Sequence, residues 1–172
     1  MRTWLILLAL VTPLSWAASL TKEFTFAGTD YFHRWSQEDQ HEFTPQGQED
    51  LAKWQDMVTL HRYTAASNAE QMAAVANAVL DNYQQHGAMI LKVDASPARG
   101  SQPAVYFIAA VLPQPSFIEA VFTRLKLENG TGTGVIYSHR LYGMSAWLKA
   151  NATARENELM DWQPPAKAFQ RR

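Results

Sequence analysis

The sequence has no cysteine. Thiol nucleophiles, disulfide staples and cysteine-held metal clusters are therefore excluded, and so is a lipid-anchored lipoprotein, whose mature chain starts on cysteine. An excess of either charge is also missing: 15 basic residues face 16 acidic ones. Without a basic face, nucleic acid is excluded as a partner. Beyond the N-terminus no apolar run approaches the ~20 residues a membrane helix requires. Catalytic signatures are absent too: the chain carries no G-x-S-x-G elbow and no H-E-x-x-H helix. The "GTGTG" at residues 130–134 lies between two strand-like runs and opens no helix, so it reads as a hairpin and not as a phosphate loop.

What is present begins with a leader. One basic residue, Arg2, precedes the apolar run "WLILLALVTPL", which has the length of a signal-peptide core and is too short to span a bilayer. Small Ser15 and Ala17 stand at the −3 and −1 positions of a cleavage site. Cleavage after Ala17 is expected to leave one domain, residues 18–163, followed by a flexible tail, residues 164–172. The processed protein is expected to be periplasmic or secreted, with no membrane insertion after signal cleavage. A cysteine-free exported chain favours a bacterial periplasm. Asn129 and Asn151 begin triplets of the N-glycosylation pattern.

The order of elements predicts fold class α+β: a mainly antiparallel sheet covered by a long central helix and a C-terminal helix. Phe24 and Phe26, then Tyr31, His33 and Trp35, alternate with polar residues on either side of Gly28, giving two strands. "SQEDQHE" reads as a hairpin tip, "TPQGQ" as a break, and "EDLAKW" as one or two helical turns anchored by Trp54. "MVTLHRY" is a strand with Val58, Leu60 and Arg62 on one face and Met57, Thr59, His61 and Tyr63 on the other. Ser67 and Glu70 form a capping box before Met72, Val75, Ala76, Val79, Leu80 and Tyr83, which recur at helical spacing, and Gly87 suits the C-cap. Four strands follow: "AMILKV", the doubly apolar "AVYFIAAVL", "SFIEAVFTRLKLE" and "VIYSHRLYG". Ser145 caps a last helix that buries Trp147, Leu148, Ala154, Leu159 and Trp162.

One pattern carries possible chemistry. Three of the five histidines precede arginine: His33-Arg34, His61-Arg62 and His139-Arg140. All three pairs fall in predicted strands, each with a tyrosine two places away: Tyr31, Tyr63 and Tyr137. If the strands are neighbours, a His/Tyr patch forms on one sheet face and an arginine row on the other. The three His-Arg pairs with Trp35, Tyr63 and Tyr137 are the candidate ligand-binding set. Histidine and tyrosine can serve as acid and base, and arginines can clamp an anion; half-buried strands also carry such residues for cross-strand packing alone. The acids Glu38, Asp39, Glu42, Glu49, Asp50 and Asp56 read as a solvated loop, and His41 with Asp39 and Glu42 matches no established metal spacing. No metal, cofactor or catalytic residue is assigned.

The element order and the entry "WQDMVTL" into a strand resemble the Mog1/PsbP-like fold, and the stretch from "EFTPQGQEDL" to "YSHRLYG" is similar to an uncharacterised family of secreted bacterial proteins. The resemblance implies a binding or accessory role and transfers no functional residue. The sequence therefore points to an exported, non-enzymatic protein that binds an unknown protein or small ligand. The alternatives are a small hydrolase or metal-dependent enzyme using the strand histidines, and an inhibitor or immunity-type protein presenting residues 37–42.

Overall fold

Two-residue turns set the registers of the sheet. Ala27 and Gly28 have φ of 50° and 75°, and Asn129 and Gly130 likewise 50° and 75°. These left-handed pairs match the twist of antiparallel strands, so each closes a tight hairpin. The computed structural model describes residues 21–142 and 146–170. The expected signal peptide and the Ser145 cap lie outside the described residues.

Eight strands form one sheet: β1 (Phe24–Phe26), β2 (Thr29–Gln37), β3 (Gln40–Pro45), β4 (Asp56–Tyr63), β5 (Met89–Ser96), β6 (Val105–Pro113), β7 (Ile118–Glu128) and β8 (Thr131–Leu141). Their spatial order is β1-β2-β3-β4-β8-β7-β6-β5, with every neighbour antiparallel. Two meanders thus meet where β4 pairs with β8. Helix α1 (Ala69–Gln85) connects them, and α2 (Ala146–Asp161) follows β8.

The fold is α+β as expected, but sheet dominates it, and the picture of a long helix covering the sheet is corrected. Helix α1 packs mainly on β5, β6 and β7 and reaches β4 and β8 at Tyr63 and Gly132, so it covers only part of this sheet face. The other face carries the main core. Phe26, Phe43, Val58, Phe107, Phe122 and Val135 are buried there beneath Leu159 of α2 and Phe169. A smaller core lies under α1, where Met72 and Ala76 meet Ile108 and Leu125.

Local expectations are corrected in four places. The N-cap of α1 is Asn68, whose side chain accepts from the Gln71 amide at 2.9 Å, while the Gln71 side chain reaches back to the Ser67 amide at 2.8 Å. The capping box therefore sits one residue later than Ser67 and Glu70 suggest. "EDLAKW" is a turn, not a helix, because Asp50 takes the Ala52 and Lys53 amides by side chain and carbonyl. Ala154 is exposed, and Ala152 packs in its stead. Residues 166–169, placed in the flexible tail by sequence, form a 3-10 turn with Ala168 and Phe169 buried. Two apolar side chains on one short turn suffice to dock it.

Gly87 does cap α1. Its φ is +74°, its amide bonds Gln84 O, and the Ala88 amide bonds Tyr83 O, which together make a Schellman motif.

Candidate functional site

Register parity divides the three His-Arg pairs. Asp56 stands opposite His139, Val58 opposite Tyr137, and Phe43 opposite both His33 and Val58. His33, His139 and Tyr137 therefore share the α2 face. His61 pairs with Gly134 and Gln40, and with Tyr63 it projects to the α1 face. A bulge between His33 and Trp35 shifts the register of β2 and carries Trp35 to the α1 face, where Arg34 already lies by alternation. Arg140 joins them there, whereas Arg62, opposite Thr133, turns the other way. The expected single patch of three histidines and the single arginine row do not form. Spacing within a strand fixes which residues share its face, but not which face meets which neighbour.

Each separated pair has its own partners. Asp56 Oδ1 accepts from Tyr137 Oη at 2.6 Å and pairs with His139 Nδ1 at 2.8 Å, and the His139 ring stacks on Trp147 at 3.9 Å. The amide of Gln55 bridges His139 Nε2 and the Arg140 carbonyl. Burial alone pushes Asp56 up, but the hydrogen bonds from His139 and Tyr137 hold it below the usual aspartate range. His33 Nε2 and His41 Nδ1 share the hydroxyl of Ser36, at 2.6 and 2.7 Å. That link depends on the bulge, which brings Ser36 onto the face of His33.

The arginines hold backbone. Arg34 donates to Thr44 Oγ1 at 2.8 Å and to the Pro45 carbonyl at 2.9 Å. The Arg140 guanidinium lies 4.4 Å from the Trp54 ring centroid and 4.1 Å from that of Phe117, and donates to the Ala52 carbonyl at 2.8 Å. These two side chains pin the connection between β3 and β4 from both ends. An anion clamp would need the same donors.

Four members of the predicted set do meet: Trp35, His61, Arg62 and Tyr63 line one open groove of about 680 Å³ on the α1 face. The hairpin tip with Glu38 and Asp39 forms one wall, and Val75 of α1 the other. His61 and Tyr63 rings lie 4.4 Å apart, and Trp35 is 36% exposed, available to a ligand. The Arg62 side chain leaves for the other face, so the acidic residues set the charge of the groove. Burial lowers the His61 pKa, against the opposing pull of Asp39 and Glu38, with His41 adding to the lowering. Burial pushes the Tyr63 phenol up to about 12. Both rings are neutral at pH 7.

Glycine makes room for this wall. A Cβ on Gly134 would stand 3.0 Å from Tyr63 Cε2 and 3.1 Å from Leu125 Cδ2. Gly134→Ala is expected to displace the Tyr63 ring and to cost about 1–3 kcal/mol, measured as a lower Tm. The "GTGTG" stretch is more than a hairpin turn: Gly132 and Gly134 serve close packing within β8.

A second hollow of about 340 Å³ adjoins this groove through Gln40 and contains Glu42 and Glu119. Burial raises the Glu42 carboxyl and Glu119 adds to the rise, with Gln40 opposing. Among the described residues no three His, Asp or Glu side chains converge as a metal site, and no helix is long and apolar enough to cross a membrane. Compared with protein-family models and with curated proteins, the sequence matches none.

Proposed function

We propose that the protein is an exported, non-enzymatic binding or accessory protein, and that the groove between the β2–β3 tip and α1 takes a small organic cation with an apolar body. The observation that carries this reading is the joint placement of Trp35, His61 and Tyr63 beside Glu38 and Asp39. Aromatic faces attract cations through their quadrupole by about 0.5–2 kcal/mol each, most strongly where water is excluded. Two carboxylates at the mouth add long-range attraction, screened by salt beyond about 8–10 Å. The leader sequence supports export, and the Mog1/PsbP-like resemblance favours an accessory role. The acid–base pair His139 and Asp56 is committed to Tyr137, Trp147 and Gln55, which favours binding over catalysis at that point.

Titration calorimetry with choline and its neutral isostere 3,3-dimethylbutanol tests the reading. Choline is expected to bind and the isostere to bind more weakly. Trp35→Ala is expected to weaken choline roughly 3- to 30-fold. Affinity should hold from pH 8 to about 6.5 and fall below that as His61 gains a proton and repels the ligand, since burial keeps His61 neutral over the upper range. Equal affinity for choline and the isostere, or indifference to Trp35→Ala, rejects a cation site.

A further inference from the structure

The sheet ends on a strand unlike the others. Every residue of β5 except Ile90 is exposed. Among the described residues, five large apolar side chains are exposed, and Met89, Leu91 and Val93 of β5 account for three of them. Within the described residues β5 pairs with β6 alone, so the outward N–H and C=O groups of its other edge face solvent. Edge strands are ordinarily blunted by charge, proline, a bulge or a short length, and β5 has a bulge between Ile90 and Lys92, which leaves Lys92–Ser96 as its regular edge. This one has eight residues and no proline. Its charged residues are Lys92 and Asp94, one of each sign, flanking Val93.

We infer that β5 pairs antiparallel with β5 of a second copy of this chain, with Val93 opposite Val93 on the two-fold axis. A two-fold axis normal to the sheet keeps faces matched, so within the regular stretch that follows the bulge at Leu91 paired residues must lie an even number of positions apart in the chain. Centring on Val93 sets Lys92 of each copy against Asp94 of the other, two opposite-charge pairs on one face. Sliding by two residues sets Lys92 against Lys92 or Asp94 against Asp94, which is unfavourable. The charges that would otherwise guard the edge thus select one register. Lys92 already meets Glu156 at 2.6 Å and Asp94 of its own chain at 3.9 Å. Its ammonium has three donors and its side chain is 45% exposed, so it can add the second copy's carboxylate. The apolar Val93 meets its own image and loses water there. In the joined sheet the two grooves lie at the far halves, both open.

Analytical ultracentrifugation of the purified, processed protein, from micromolar to hundreds of micromolar at low salt, tests the inference. The wild type is expected to pass from monomer to dimer over that range. Asp94→Lys places lysines opposite lysines and should weaken the dimer roughly tenfold. Lys92→Asp should do the same while also losing the Glu156 contact. The double variant Lys92→Asp, Asp94→Lys restores opposite pairs and should recover the dimer. Circular dichroism of Asp94→Lys checks that the exposed substitution leaves the monomer folded. A wild type that stays monomeric, assembles beyond a dimer, or forms a dimer indifferent to Asp94→Lys overturns the inference, as does failure of the double variant to recover association.

Discussion

Arg124→Met is expected to lower the unfolding free energy by about 2–4 kcal/mol and Tm by roughly 5–15 °C. Arg124 is 1% exposed and lies on β7 beneath α2. Its Nη1 donates to the carbonyls of Leu159, Met160 and Trp162 at 2.6, 3.1 and 2.5 Å. These belong to the last turn of α2 and the residue after it, where a helix leaves carbonyls without partners and concentrates negative potential. Two opposing effects must be weighed. Methionine removes a buried charge, which relieves a desolvation cost. It also leaves three carbonyls unpaired in a dry environment, at about 1–3 kcal/mol for each that water cannot reach. The second effect wins because the three bonds are charge-assisted and lie at a helix C-terminus, whose negative potential favours the cation, while the unpartnered Nη2 and Nε keep the net loss well below the sum of three bonds. Arg124→Lys supplies one ammonium in place of the planar fork and should recover part of the loss. Thermal unfolding followed by circular dichroism decides it. A methionine variant that melts with the wild type would mean that α2 ends as well without the cap.

The same residue shows what a sequence can and cannot disclose. Alternation along "FTRLKL" separates Arg124 from Leu125 correctly, and the separation holds in the sheet. Nothing in that alternation says that the polar face will be covered, because α2 returns to it from more than twenty residues away. Turn chemistry was legible where glycine or asparagine forced it: Gly28, Gly87 and Asn129-Gly130 all adopt the left-handed conformation that their positions imply. The bulge at Arg34 was not legible, since no glycine or proline marks it, and it alone moves Trp35 onto the face of His61. Four of the nine predicted site residues consequently share a groove, whereas the three histidines that motivated the prediction are divided between two faces. The Asp56, Tyr137 and His139 cluster was hidden for a different reason. Asp56 lies more than eighty positions from the other two and meets them only because β4 pairs with β8.

Asp56→Ala is expected to cost about 2–4 kcal/mol near neutral pH, because the Tyr137 hydroxyl and the His139 N–H both lose their acceptor, at about 1–3 kcal/mol each. The carboxylate itself is partly open to solvent, at 26%, so water can take over part of the lost contact and the total should fall short of the largest sum. Asp56→Asn separates charge from acceptor: its amide oxygen still faces both donors, and its loss should be smaller. The pH dependence follows from the direction of the Asp56 shift. Its pKa in the folded protein lies below the ordinary value because the hydrogen bonds from His139 and Tyr137 outweigh burial. A depressed carboxylate pKa means that the unfolded chain takes the proton first as acid is added. The stabilisation is therefore complete above about pH 5 and declines through about pH 4 as the pH approaches the folded-state pKa. The stability gap between wild type and Asp56→Asn should be widest near neutrality and narrow on acidification. Urea unfolding at pH 7, 5 and 3.5 measures it. A gap that stays constant with pH would place the value of Asp56 in its shape rather than its charge. A gap that widens in acid would reverse the sign and remove the network as the reason β4 and β8 are joined at that end.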